Sequence, residues 1–232
     1  MLRQIGFGLL WLGFVTYAFI FAPPDQPETI ALITNLSTGN WEDINPLIIS
    51  LFNLMGIWPM VYTCMILIDG RGQKIPAWPF ALGSWALGAF ALLPYFALRQ
   101  PNPRFSGQKN LLLNILDARL TGVALTIGAT VLFVSGLING NWPDFIQQWQ
   151  TSRFIHVMSL DFCVLSLIFP ALLGDDLARR GIDNPVIFWL VALIPLFGPV
   201  VYLACRPPLQ IDDAEAIASE SLGANPDTIT TP

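Results

Sequence analysis

Charge is what this sequence has least of. Asp, Glu, Lys and Arg make up only 12% of the 232 residues, against 54% hydrophobic residues and a mean hydropathy of +0.59. Soluble domains carry roughly 25% charged residues. A chain this poor in charge cannot clothe a water-facing surface, so a soluble enzyme, a secreted disulfide scaffold, a disordered chain and a nucleic-acid binder are excluded. Cysteine is scarce too. Cys64, Cys163 and Cys205 all fall in apolar runs, with no CxxC and no Cys/His ligand spacing, and read as small buried hydrophobes. No HExxH, GxSxG, Walker A or EF-hand loop occurs. Gly6-Phe7-Gly8 opens a hydrophobic run rather than a strand-to-helix turn, so it is no dinucleotide fingerprint. No Ser/His/Asp set can be assembled, and the expectation is a non-enzymatic protein with no metal site.

What the chain does have is long apolar runs. Six stand out: Ile5–Ala22, Leu47–Ile68, Ala77–Leu98, Leu120–Ile138, Phe154–Leu173 and Val186–Cys205. A bilayer core of about 30 Å takes about 20 helical residues, and lipid cannot satisfy the backbone of an open strand. The predicted fold is therefore all-α, an integral membrane bundle of six transmembrane helices over residues 1–208. Ile5–Ala22 has one basic residue before it, Arg3, and no small-residue cleavage site, so it reads as a retained helix. Pro59, Pro94, Pro170, Pro195 and Pro199 lie in or near span ends and should kink their helices. Ser84/Gly88 and Ala124/Gly128 allow close helix approach. Between spans, Trp142, Phe145, Ile146 and Trp149 recur at helical spacing behind Asn141 and Pro143, which predicts a short helix lying in the membrane interface. Leu209–Pro232 holds five acids and no base and reads as a disordered acidic tail.

An internal repeat is suggested by shared order. Gly39-Asn40-Trp41-Glu42-Asp43 recurs as Gly140-Asn141-Trp142-Pro143-Asp144, and Arg3-x-x-Gly6 as Arg119-x-x-Gly122. Asp69-Gly70-Arg71 matches Asp176 with Arg179-Arg180-Gly181, and each third run ends in Arg99 or Arg206 before a proline. The halves are about 3–101 and 119–207. With three spans each, the second must insert upside down, the inverted-repeat plan of many transporters. Charges do not orient such a bundle. With the first residues inside, the inner segments hold Arg3, Arg71, Lys74, Arg153 and Arg206, and the outer segments hold Arg99, Arg104, Lys109, Arg119, Arg179 and Arg180. The loop from Pro23 to Pro46 nevertheless carries four acids and no base, which places the first residues in the cytoplasm or stroma. The alternative is that Ala77–Leu98, with Pro near both ends, re-enters the bilayer and does not cross.

Four residues are candidates for an intramembrane polar site. Asp161 is the acid deepest in a span, and an ionised carboxylate there costs at least ~2.5–3.5 kcal/mol; it is either a proton or coupling-ion site or a buried hydrogen-bond acceptor. His156, the only histidine, lies one turn after Arg153. It could ligate a chlorophyll magnesium or a haem iron, or simply hold a loop. Asn53 falls near the place of Asp161 in the repeat and either faces the centre or glues helices. Asp69 with Arg71, and Asp175/Asp176 with Arg179/Arg180, read as surface ion pairs worth ~0–1 kcal/mol each.

Pro23-Pro24-Asp25, Asn53-Leu54-Met55-Gly56, Ala91-Leu92-Leu93-Pro94-Tyr95, Thr151 through Phe162 and Gly174-Asp175-Asp176 resemble an uncharacterised polytopic membrane family of cyanobacteria and, more divergently, of chloroplast-bearing organisms. The resemblance implies a thylakoid or plasma membrane and attaches no activity. Two functions follow as expectations: a protein that associates with or assists assembly of a larger, photosynthetic membrane complex, or a small transporter or channel coupled through Asp161. The partners expected are the lipid bilayer and membrane-complex subunits. Chlorophyll and carotenoid are the candidate cofactors.

Overall fold

The computed structural model describes residues 2–105 and 107–210, and the tail from 211 lies outside the described residues. The architecture is helical. α1 (Leu2–Thr16) continues through a π turn, Tyr17–Phe21, and α2 (Thr29–Thr38) follows. Next come α3 (Pro46–Asp69), α4 (Trp78–Leu87), α5 (Ala89–Leu98) and the short α6 (Leu111–Asp117). The chain goes on through α7 (Arg119–Asn139), α8 (Trp142–Thr151), α9 (Arg153–Ile168), α10 (Pro170–Arg179), α11 (Pro185–Leu193) and α12 (Phe197–Cys205).

Four helical stretches are long and apolar enough to cross a membrane: Leu2–Phe21, Pro46–Asp69, Arg119–Asn139 and Arg153–Arg179. Local chemistry sets their ends. The Asn45 side chain accepts from the Leu47 N–H at 3.0 Å, Pro46 occupies the first turn, and α3 then runs apolar to Asp69. Pro170 divides the last stretch into α9 and α10, whereas Pro59 and Pro94 are accommodated inside α3 and α5. α8 is the predicted interfacial helix, capped by Asn141, whose Oδ1 accepts from the Asp144 N–H at 3.2 Å. The first loop holds a matching helix, α2, which the sequence reading left without structure.

The third and sixth runs are each divided into two short helices. Ala77–Leu98 is α4 and α5 folded back on each other at Gly88, whose φ of 51° and ψ of −126° suit only glycine. A Cβ on Gly83 would stand 3.1 Å from the Cβ of Ala91, a distance no continuous helix allows between residues eight apart. α5 runs antiparallel to α1. Phe7 meets Phe96 with ring centroids 5.2 Å apart, Phe14 stacks on Phe90 at 4.2 Å, and Trp11 Nε1 donates to the Phe90 carbonyl at 3.0 Å. Gly88 therefore lies partway along α1, and the flanks of the hairpin return to the same end, where Gln73 and Gln100 exchange hydrogen bonds. Val186–Cys205 does likewise. α11 and α12 turn through Ile194-Pro195-Leu196, and the backbone of Val191 closes on Gly198. Phe197 N–H donates to the Pro195 carbonyl at 2.6 Å across Leu196 (φ 59°), a strained γ-turn held by the complete burial of that leucine.

Against the six spans expected, four stretches among the described residues have spanning length, and each pair of them is followed by a helical hairpin. In the Gly-Asn-Trp match both glycines follow a helix end, Gly39 after α2 and Gly140 after α7, but only Asn141 goes on to cap a helix directly. Other matches coincide in space. α1 packs on α5 as α7 packs on α12.

One face, here called the basic end, gathers Arg3, Arg71, Lys74, Arg99, Arg104, Lys109, Arg119, Arg179, Arg180 and Arg206; Arg153 alone lies at the opposite, acidic end. The ion pairs at the basic end are buried, not superficial. Asp69 takes Arg99 in a two-pronged pair at 2.7 and 2.5 Å, Tyr95 OH at 2.6 Å and Arg179 at 2.5 Å. Asp176 takes Arg180 at 2.8 Å, Tyr202 OH at 2.7 Å and Arg206 at 3.2 Å. Both carboxylates are fully enclosed. Asp175 joins Arg99, and Asp117 ties Arg180 and Arg206. Arg71 contributes only its carbonyl, to Asn102. Burial pulls the Arg99 and Arg180 guanidiniums down, but their hydrogen bonds and charge pairing with Asp69 and Asp175, or with Asp176 and Asp117, push both above the ordinary arginine value. They stay charged at every pH a membrane protein meets.

Candidate functional site

A cavity of about 750 Å³ lies between α1, α3, α9 and the first hairpin. Asp25, Thr29 and Arg153 line it at the acidic end, and the exposed Phe19, Trp85 and Leu87 line it along its side. Its walls are apolar and rich in aromatic rings: Trp11, Phe19, Phe52, Trp85, Phe90 and Phe154. Its inner end is Gly88 and Asp161. Arg153 and Asp161 are eight residues apart on α9, so the carboxylate sits ~12 Å deeper than the rim.

Asp161 is held by the hairpin. Its Oδ1 accepts from the Ala89 N–H at 2.8 Å, which caps the otherwise orphaned start of α5. A Cβ at position 88 would collide with the same carboxylate, so this close approach requires glycine. Asp161 Oδ2 has no hydrogen-bond donor among the described residues. Asp161 itself is 6% exposed and lines the cavity, so its unused acceptor belongs to the cavity wall. In α3 the place of Asp161, counted from the helix start, is taken by Leu54, and the tip of the second hairpin has Pro195 where the first has Gly88. Only one of the two hairpins is therefore built to carry a polar group.

The other candidates divide. Arg153 shares the cavity with Asp161, its Nε donating to the Pro23 carbonyl at 3.0 Å and its N–H to Pro24 at 3.2 Å. His156 does not line it. Nδ1 meets the Trp149 carbonyl and Nε2 meets Tyr17 OH, each at 2.9 Å, and the ring packs between the Tyr17 and Trp149 rings. Both nitrogens that would bind a chlorophyll or haem metal are engaged, and His156 acts as a pin fixing α8 and the end of the first span to α9. Asn53 donates to the Ile49 carbonyl of its own helix at 2.8 Å and does not reach Asp161. Of the cysteines, Cys64 is buried, whereas Cys163 and Cys205 face outward. Among the described residues no group of His, Cys, Asp and Glu is arranged to hold a metal ion.

Beneath Asp161 the bundle is packed with aromatic rings. Trp58, Tyr62, Phe96 and Phe169 form a buried aromatic layer, with Phe162 against Trp58, and Tyr62 OH reaches the Leu165 carbonyl at 2.5 Å. This layer separates the cavity from the charged cluster of the basic end. Re-entry of Ala77–Leu98 was open to the sequence reading as an alternative, but the role of Gly88 as its tip and the aromatic walls were not, because both are defined by the return of α5 along α1. When the chain is compared with known protein families, with characterised proteins and with solved structures, none matches.

Proposed function

We propose that this chain is a non-enzymatic membrane protein that binds a small lipophilic molecule in the cavity between its first hairpin and α9. One observation carries the reading: a cavity of about 750 Å³ at membrane depth, apolar except at its rim and at a single carboxylate that a glycine turn holds in place. Ligand sites have this form, an apolar cleft of about 300–1,000 Å³ with few placed polar groups. The alternative of a coupled carrier draws on the same Asp161. The aromatic layer below it weighs against that alternative, since a carrier needs a polar path to the far side.

Ten of the eleven basic residues lie at one end, and the positive-inside rule turns that end toward the cytoplasm or stroma. The polar end of the cavity, with Asp25, Thr29 and Arg153, then lies toward the opposite compartment. Service to a photosynthetic complex in a thylakoid membrane rests on the family resemblance alone, with the bound molecule supplied to or held for that complex. The recurrence of Asp-Tyr-Arg sets at 69/95/99 and 176/202/206 supports a duplication of a two-span-plus-hairpin unit in parallel.

The test is purification in mild detergent followed by mass spectrometry of the organic extract, for the native protein and for Gly56→Leu. Gly56 lines the cavity and has nothing within 4 Å of an added Cβ, so a leucine there begins in open space on the cavity side. The expected result is a defined lipophile in near-stoichiometric amount, lost from Gly56→Leu at unchanged thermal stability. The same extract from both proteins would refute the reading.

A further inference from the structure

We infer that the ligand is a lipophilic cation, its charge seated against Asp161. The inference rests on the cavity reading above and adds the sign of the guest's charge. Three observations point the same way. The Asp161 carboxylate uses Oδ1 on the Ala89 N–H and leaves Oδ2 without a donor among the described residues. No basic side chain stands near it within the cavity: Arg153, the only base on its lining, lies ~12 Å toward the rim and is tied to the Pro23 carbonyl. Aromatic rings from α1, α3, α4, α5 and α9 supply much of the wall, beside aliphatic and methionine side chains, and the Ser84 hydroxyl on it is donated to the Ala81 carbonyl.

A carboxylate in an apolar cavity must find a counter-charge or a proton. A cationic guest supplies the counter-charge, and aromatic faces attract the same guest electrostatically. An anionic guest meets repulsion from Asp161. A neutral guest leaves Oδ2 unused unless it brings a donor. Trp11 has spent its N–H on the Phe90 carbonyl, so it offers the cavity a ring rather than a donor. The second hairpin, with Leu54 and Pro195 at the corresponding places, lacks the site and serves as an internal contrast.

Two ions of the same shape and opposite charge test this: tetraphenylphosphonium and tetraphenylborate. Binding to the detergent-purified full chain is followed by quenching of tryptophan fluorescence, to which Trp11 and Trp85 contribute from the cavity wall. The expected result is saturable binding of tetraphenylphosphonium that weakens at least tenfold in Asp161→Asn, whose amide oxygen still accepts from Ala89. Tetraphenylborate should bind no better to the native protein than to Asp161→Asn. Gly56→Leu should abolish phosphonium binding. Equal phosphonium affinity in the native protein and Asp161→Asn would overturn the inference. So would native protein that takes the neutral probe N-phenyl-1-naphthylamine, in a manner lost in Gly56→Leu, while refusing phosphonium; that result would leave the cavity reading standing. Failure of both probes to bind would defeat the cavity reading as well.

Discussion

Two aspartates in one membrane protein differ in what their neighbours do for them. Asp69 is enclosed by Arg99, Arg179 and Tyr95, whereas Asp161 has a single backbone donor and an open cavity. Removing one member of a buried charge set strands the others and costs about 3–5 kcal/mol. Asp69→Asn should therefore lose about that much stability, read as a fall in the thermal or denaturant midpoint in detergent. Asp161→Asn keeps an acceptor for Ala89, so its stability change should stay below about 1 kcal/mol. The same contrast explains how much of the site was readable from the sequence. Asp161 was visible as a lone acid in an apolar run, and Asp69 and Asp176 were visible as recurring helix-end acids. Their partners were not, because Arg99 and Arg206 each lie 30 positions on and are brought back only by a hairpin. His156 misled for a related reason: its two contacts, Tyr17 and Trp149, come from separate elements that no local pattern joins.

Among elements, the first hairpin is the one on which the site depends. Its arms are ten residues each, about 15 Å at 1.5 Å per residue, half a bilayer core. Hydropathy alone counts such a pair as one span, since the two arms together match the length of a crossing helix. The signal that distinguishes them is Gly88, and an isolated glycine in a helical run is too common to decide the matter. Gly88→Ala places a side chain at φ 51° and against the Asp161 carboxylate. Strain of that kind costs of order 1–3 kcal/mol, and phosphonium binding should fall with it; unchanged binding in Gly88→Ala would show that the tip is not part of the site. α7 offers a second prediction. Gly122 lies against the backbone of α12 at Leu203 and Ala204. Gly122→Leu should force the two apart and lower stability by about 1–3 kcal/mol, whereas Gly128→Ala, with only Ile57 at 3.9 Å, should stay within about 0.5 kcal/mol.

At the scale of the whole molecule, re-entry resolves the conflict in the charges. Six crossings scatter the basic residues over both faces and leave orientation undecided. With the two broken runs folded back, all but Arg153 lie at one end of the bundle, the distribution that membrane insertion would favour for four crossings. The class of the fold, helical and membrane-embedded, followed from composition alone, and the interfacial helix α8 from its apolar spacing. The direction of the second half did not, because it depends on whether two apolar runs cross or return. The cavity and its carboxylate depend on the same point, since only a hairpin tip at mid-membrane meets Asp161 there. Single cysteines at Lys74, Arg104, Asp183, Asn40 and Gln147, all exposed, in a chain with Cys64, Cys163 and Cys205 replaced by serine, report this directly through a membrane-impermeant maleimide. Lys74→Cys, Arg104→Cys and Asp183→Cys should label from one side, and Asn40→Cys and Gln147→Cys from the other. Labelling of Lys74→Cys and Arg104→Cys from opposite sides would mean that residues 77–98 cross the membrane, and the site proposed at Asp161 would fall with the hairpin.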